Sequence, residues 1–545
     1  MISVLRTRWP LLLAAGVPLA ALLVFFALPV GGMVQRGFWP DGRFDPAGVA
    51  DVLGRARTLR VLWFTIWSAG IATAVAVLLG LPTAFCLHRL RFTGQGLVRA
   101  LVMVPFVLPT VVVGVAFTQV FGIGGPLAGL HLDGSAAAIV AAMVFFNVSV
   151  VVRTVGSFWQ AIDPRREQAA AALGASPRQV FLTVTVPSLL PAVVAAASVV
   201  FLFCATAFGV VLTMGGLRYS NVETEIYLLT TQELDLPSAA ALSLLQLVLI
   251  VVLLGIVGRA RRTPVERSSS PARRPGARDW PVLITAAAVV GFLLLPIVTL
   301  VEASLRVGGQ WSLGNYRALG STGSHHALLV PAVQALGTSL GIAVEACALA
   351  LVLGLLVSYV VSRRPAGRVG RRLVAAFDGA FMLPLGVSAV TVGFGFLITL
   401  DRPPLDLRTS TVLIPIAQAM VALPLVVRTV APVLSSIDDR QRQAAASLGA
   451  GPLRVFGTVD LPTAWRSVLA AAGFAFAVSL GEFGATSFLA RSDDPTLPVV
   501  IYELLSRPGV MNFGMAMAAS VVLAAATAGV MLLVERLRVS SLGAF

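Results

Sequence analysis

The chain has 545 residues, of which 57% are hydrophobic and only 12% charged, with a mean hydropathy of +0.90. A soluble domain carries roughly a quarter charged residues, so a water-soluble enzyme or nucleic-acid-binding protein is excluded as a class. The net charge of +15 comes wholly from arginine, because the sequence contains no lysine, and the placement of those arginines is more informative than their number.

Arg6 and Arg8 precede a first apolar run at about 10–30. That run is long for the core of a secretory signal and many more follow, so it reads as the first membrane span. Further apolar stretches lie at 61–87, 100–122, 136–157, 189–213, 236–258, 280–303, 332–362, 373–400, 410–432, 464–490 and 513–534. Each reaches the roughly 20 residues a helix needs to cross ~30 Å of hydrocarbon. They lack the alternation of a lipid-facing barrel strand, and only helices satisfy their own backbone groups in lipid. The reading is an all-α integral membrane protein with about twelve transmembrane helices. With the N-terminus inside the cell, well over half of the 40 cationic residues fall on the inner side, against a smaller outer set that includes the cluster Arg55, Arg57 and Arg60. The positive-inside bias therefore predicts a multi-pass protein of the cell membrane with both termini cytoplasmic. Cys86, Cys204 and Cys347 are odd in number and scattered through apolar segments, with no disulfide or metal spacing.

The chain repeats itself. Arg153-Thr154-Val155 matches Arg428-Thr429-Val430, Ile162-Asp163 matches Ile437-Asp438, and Val180-Phe181 matches Val455-Phe456. Phe208-Gly209 matches Phe483-Gly484, Tyr227 matches Tyr502, and nearer the start of each half Gly80 matches Gly354 and Pro105 matches Pro384. An even number of spans per half makes the two repeats parallel, related by an axis along the membrane normal. Residues 259–279 are rich in Arg, Ser and Pro and read as a flexible cytoplasmic linker. The predicted organisation is a first permease half at 1–258, this linker, and a second half at 280–545.

The inner loops after the fourth and tenth spans carry the most informative residues. Asp163-Pro164 is an N-cap followed by proline at the first helical position, and Gly174 suits the residue just past a helix end. A short helix, PRREQAAAAL, is expected between them, with a second beginning at Ser176-Pro177 and stopping at Pro187; the other half repeats both. Small residues, Ala169, Ala170, Ala444 and Ala445, leave a thin helix that a partner's groove accepts closely. The pattern resembles the EAA loop of binding-protein-dependent ABC importer permeases, with Gly174 and Gly449 as its glycine. Gln168 and Gln443 stand where the motif has glutamate, and Glu167 lies one place early. The resemblance implies a type I importer (MetI-like) permease fold whose two loops each dock into an ATP-binding subunit. A phosphate-cradling loop needs Gly-x-x-x-x-Gly-Lys-Ser/Thr, which a lysine-free chain cannot supply. The expectation is therefore a transport subunit that is not itself an enzyme and binds no cofactor, with ATP and Mg on two partner subunits.

The outer half of each repeat holds the remaining candidates. An acid within a span is a functional candidate by default; Glu482 stands late in the eleventh span, followed by Phe483 and Gly484, whereas the first half has Ala207 before Phe208 and Gly209. These residues are read as a translocation path or gate. Glu225, Tyr227, Asp494 and Tyr502 in the outer loops are read as docking points for an extracytoplasmic binding protein. His325-His326 lacks a third ligand in phase, and no metal site is assigned. A single chain fusing two such halves resembles the iron(III) and thiamine permeases, and the resemblance covers nearly all residues. It implies a solute delivered by a separate binding protein, thiamine or iron(III), with another small cation or anion as the alternative. A secondary transporter of twelve spans is the competing class; it needs no duplicated docking loop.

Overall fold

A computed structural model describes residues 2–40, 42–216, 218–260, 273–363, 367–401, 406–407 and 410–539. Most of the linker expected at 259–279 lies outside the described residues. Among the described residues, ten helices are long and apolar enough to cross a membrane, or up to twelve if two sharply bent pairs each count as one span. The bent pairs are Gln95–Val107 with Thr110–Phe121, at 105°, and Arg368–Pro384 with Ala389–Thr399, at 91°. The sequence expected straight spans at 100–122 and 373–400. Apolarity does not register the break, because the residues at the bends, Leu108-Pro109 and Val387-Ser388, are apolar or small. Extended backbone at Leu108 and Val387 ends the first leg of each pair, and in the second pair the Ser388 hydroxyl accepts from the Val390 amide (3.0 Å) to start the next. Strand structure among the described residues is confined to a tiny hairpin, Arg306–Val307 with Gln310–Trp311.

Two compact units are formed, and they do not coincide with the sequence halves. One comprises Ala50–Glu225 and Leu245–Asn315; the other comprises Met1–Val49, Ile226–Leu244 and Tyr316–Phe545. Within the first, Ala56–Arg89, Ala136–Ala161 and Val186–Ala205 pack as a core, and Trp280–Ser304 from beyond the linker lies against Ala56–Arg89 and both legs of the bent pair. Within the second, Ala332–Val361, Leu413–Ser436 and Leu461–Leu480 form the equivalent core. There Ile2–Leu22 packs on Ala332–Val361, while Leu28–Phe38 packs on Ala389–Thr399. Each sequence half thus lends its leading helix to the other's core.

Small side chains set the helix spacing. A Cβ on Gly80 would stand 2.7 Å from the Val151 side chain, and one on Gly354 2.5 Å from Val426. These equivalent contacts need glycine because helices associate in lipid through close backbone approach rather than through a hydrophobic drive. The outward faces carry Trp63, Leu78, Ile284 and Val344, all exposed, as lipid contact demands.

Three wide turns of π type have a common cause. Leu23–Ala27, Phe181–Thr185 and Phe456–Asp460 each precede a proline by one residue: Pro29, Pro187 and Pro462. A helical proline lacks an N–H and crowds the carbonyl four residues back; widening the preceding turn relieves this without breaking the helix. The helix expected to stop at Pro187 therefore continues, and Pro177–Ala205 and Pro452–Leu480 are unbroken rods of 29 residues. At the far end, the apolar stretches 189–213 and 464–490 are not helical throughout. The rods end at Ala205 and Leu480, and turns lead to the short helices Gly209–Gly215 and Thr486–Leu489.

Candidate functional site: paired loop helices and an acid-capped turn

The two inner loops share one construction. Pro164–Ala172 begins at Asp163, whose carboxylate accepts from the Arg165 amide (2.9 Å), and Asp439–Ser447 begins at Asp438, which accepts from the Arg440 amide (2.9 Å). Gly174 and Gly449 adopt φ of +87° and +84°, the left-handed conformation that glycine takes without penalty. Around them Ala175 and Gly174 donate to the Ala170 and Ala171 carbonyls, and Ala450 and Gly449 to those of Ala445 and Ala446. This paired closure satisfies the carbonyls left open at a helix end.

Gln168, Ala169, Gln443 and Ala444 are exposed, while Ala170 and Ala445 are half-buried. The outermost residues are two that composition did not single out: Leu173 is 89% exposed and Leu448 90%. They also lie 275 apart, the offset of the repeat, and that coincidence was the available signal. An apolar side chain held in water at the tip of a rigid, doubly capped helix is poised to be buried by something else.

Ion pairs fix each loop helix to the spans, with the charges in a different order. In the first half Arg89, ending the helix Ala56–Arg89, donates to Glu167 (2.7 Å), which also accepts from the Thr185 hydroxyl (2.9 Å). In the second half the position of Glu167 is Arg442, and the acid sits instead at the position of Thr185, as Asp460. Asp460 is 1% exposed and accepts from both Arg363 (2.8 Å) and Arg442 (2.7 Å). Arg442 also bonds Asp439 (2.7 Å) and the Leu434 carbonyl (2.7 Å). The last residues of the stretch read as a flexible linker are instead tied to the first loop's anchor: Arg273 pairs by backbone with Arg89 and Arg91 and forks onto Asp279 (2.7 Å twice). Those bonds hold the Asp279 carboxyl below the usual range, against burial, which acts to raise it.

Within one unit, Glu482, Phe483, Gly484, Tyr227 and Tyr502 gather around one turn. Glu482 is 7% exposed and caps the turn after the rod Pro452–Leu480, accepting from the Ala485 amide (2.8 Å), the Thr486 amide (3.0 Å) and the Thr486 hydroxyl. Both oxygens are engaged, so its carboxylate organises the turn. Gly484 packs so closely that a Cβ would stand 3.0 Å from Ala389 Cβ and 3.1 Å from the Val390 amide. In the other unit a Cβ on Gly209, next to the buried Phe208, would stand 2.9 Å from the Val111 amide. In both cases the turn presses on the start of a bent pair's second leg.

Phe483 meets Tyr502 at a tilt of 53° (centroids 5.7 Å), and Phe488 meets Tyr227 edge-on (5.4 Å). Two residues read as docking points thus meet the turn that Glu482 caps. Glu225 is buried against Arg57 (2.5 Å) rather than presented outward, and Asp494 is half-buried, accepting from Thr338 (2.7 Å).

Residues 74–267 and 350–539 each match the model of the binding-protein-dependent transport system inner membrane component. The chain is 28% identical over 542 residues to the thiamine transport system permease protein of Brucella abortus (strain 2308), covering 96% of this chain and 93% of that protein. It is 26% identical to the protein of that name from Escherichia coli (strain K12), over 81% of this chain and 83% of that one. The molybdenum transport system permease protein of Mycobacterium bovis is 34% identical over 257 residues, which span 93% of that protein but 46% of this chain. With the family model matching in both halves over most of its length, the chain belongs to the inner membrane components of binding-protein-dependent transport systems, as a permease with two halves fused.

Proposed function

We propose that this permease imports thiamine, received from an extracytoplasmic binding protein and driven by two separate ATP-binding subunits. ATP and Mg reside on those subunits, and both termini of this chain face the cytoplasm. The observation that carries the reading is the pair of exposed, identically capped loop helices tipped by Leu173 and Leu448. Burying a leucine contributes roughly 1.5–3 kcal/mol, and two such tips at matched positions suit two copies of one motor, or two related ones. Similarity to thiamine permeases along 96% of the chain supports the cargo.

The mechanics follow from chain continuity. Each loop helix is tied by ion pairs to a span and runs directly into a rod of 29 residues, about 43 Å long at 1.5 Å per residue. A motor that displaces the loop helices moves these rods, and the rods end at the turns bearing Phe208-Gly209 and Phe483-Gly484. Closure of the motor would rock the bundles outward to accept cargo, and hydrolysis would reset them.

The test is reconstitution in liposomes with the cognate ATPase and binding protein. Thiamine uptake is expected only with ATP and all three components. Leu173→Ser with Leu448→Ser should leave the purified chain's melting temperature within about 2 °C but lower ATPase co-purification at least about tenfold. Uptake by the permease alone would overturn the reading.

A further inference from the structure

At the turn 481–490 the two repeats converge on one element. The short helices Val222–Thr231 and Leu497–Ser506 are equivalents, and each brings a half-buried tyrosine to that turn. Tyr227 meets Phe488 and Tyr502 meets Phe483. Tyr227 also lies within electrostatic range of Tyr502 and Glu503, and burial pushes its hydroxyl up to about 12. The two repeats have diverged at the next position: Leu228 follows Tyr227, whereas Glu503 follows Tyr502.

The other acids of this region are committed. Glu223 engages Gln246, Glu225 engages Arg57, Asp494 engages Thr338, and Glu482 caps its own turn. Glu503 is half-buried, and its carboxylate makes no ion pair or hydrogen bond with a described residue. The charge that acts on it is Arg507, one turn along, which donates to the His326 carbonyl (3.5 Å). A carboxylate partly withdrawn from water without a bound cation is costly, and the Tyr227 and Tyr502 rings held at the same turn add attraction for a positive charge.

We propose that Tyr227, Tyr502 and Glu503, braced by Phe483 and Phe488, form a binding site on the transport path for an aromatic organic cation. The proposal rests on the import reading above and gives it a chemical reason. Thiamine joins a flat aminopyrimidine to a cationic thiazolium, so its rings suit the phenols and its charge suits Glu503. Glu482 acts here as a positioning residue: its cap fixes the turn that holds both phenylalanine rings. Two phenols and a carboxylate also suit ferric ion, but iron ligation requires phenolates, and the buried Tyr227 resists losing its proton.

The experiment uses the permease bound to its ATPase, without binding protein, and measures equilibrium binding of labelled thiamine against an analogue with uncharged thiophene in place of thiazolium. The wild-type complex should prefer thiamine by at least about tenfold. Glu503→Gln should reduce that preference to about twofold, and Tyr502→Leu should weaken both ligands. In liposomes with the binding protein, Glu503→Gln should lower thiamine moved per ATP hydrolysed by about fivefold to tenfold. Equal binding of the two ligands by wild type overturns the proposal whether or not the variants assemble. Unaltered thiamine uptake in both variants overturns it while leaving the import reading intact. Loss of ferric uptake in the variants, with thiamine uptake at the wild-type level, overturns the assigned ligand class. A complete wild-type system that moves no thiamine removes the import reading and the site together.

Discussion

The two loop helices are anchored by the same three positions with the charges rearranged, so one anchor can be rebuilt in the image of the other. Arg442→Glu would delete the bonds to Asp460, Asp439 and the Leu434 carbonyl. It would also set a second acid beside Asp460, which is 1% exposed, with Arg363 left to serve both. Removing one partner of a buried pair costs about 3–5 kcal/mol, so the helix Asp439–Ser447 should open locally by about 4 kcal/mol more readily. At 1.36 kcal/mol per decade this is roughly a thousandfold faster hydrogen exchange across the loop.

Arg442→Glu combined with Asp460→Thr restores a cation facing an acid on the loop helix above a hydroxyl, the arrangement of Arg89, Glu167 and Thr185. The first-half side chains are 14% and 23% exposed, so such a pair stays partly hydrated and loses little on forming. The double variant should return to within about 1–2 kcal/mol of wild type and exchange roughly a hundredfold more slowly than the single. Exchange as fast as in the single variant would refute the claim that these residues form interchangeable anchors.

Other expectations follow from the same geometry. Gly449→Ala meets open space but must hold φ +84°, so it should cost only about 1–2 kcal/mol and reduce transport modestly. Gly484→Val meets the Ala389 side chain and Val390 backbone instead and should abolish uptake while the protein still inserts, as membrane fractionation would report. The depressed Asp279 carboxyl contributes stability that is full above its unfolded value near 4 and is lost as pH falls through its lower folded value. Protection of the Gly276 amide, which donates to Asp279 (2.8 Å), should therefore persist at pH 5, after correction for intrinsic exchange rates, and disappear only in stronger acid; Asp279→Ala, with no acceptor left, should lack it at every pH.

The architecture was legible where physics acts locally. Apolar length marked the spans, and Asp163, Asp438, Gly174 and Gly449 marked the loop helices, because caps and left-handed glycines depend on adjacent residues alone. The breaks at Leu108-Pro109 and Val387-Ser388 were hidden because a bent apolar segment and a straight one have the same hydropathy. Pro187 misled as a helix end because relief by a widened turn arises in the preceding five residues, which carry no distinguishing chemistry. Glu482 was conspicuous as an isolated acid, but its satisfaction by Ala485 and Thr486 is a matter of turn geometry. Glu225 looked like a surface acid because its partner, Arg57, is 168 positions away. Leu173 and Leu448 drew no notice because leucine in an apolar chain is unremarkable until its exposure is known.

The exchange of leading helices bears on why the polypeptide is continuous. With Trp280–Ser304 embedded among helices of the preceding repeat, and Ile2–Leu22 among those of the following one, severing the connector would yield two fragments clasped like hooked fingers. Co-expressed 1–265 and 266–545 should copurify in detergent and still support uptake, whereas either piece alone should be degraded for want of a lining it borrows. Continuity would then guarantee equal dosage and correct pairing, with the hold itself supplied by the mutual embrace.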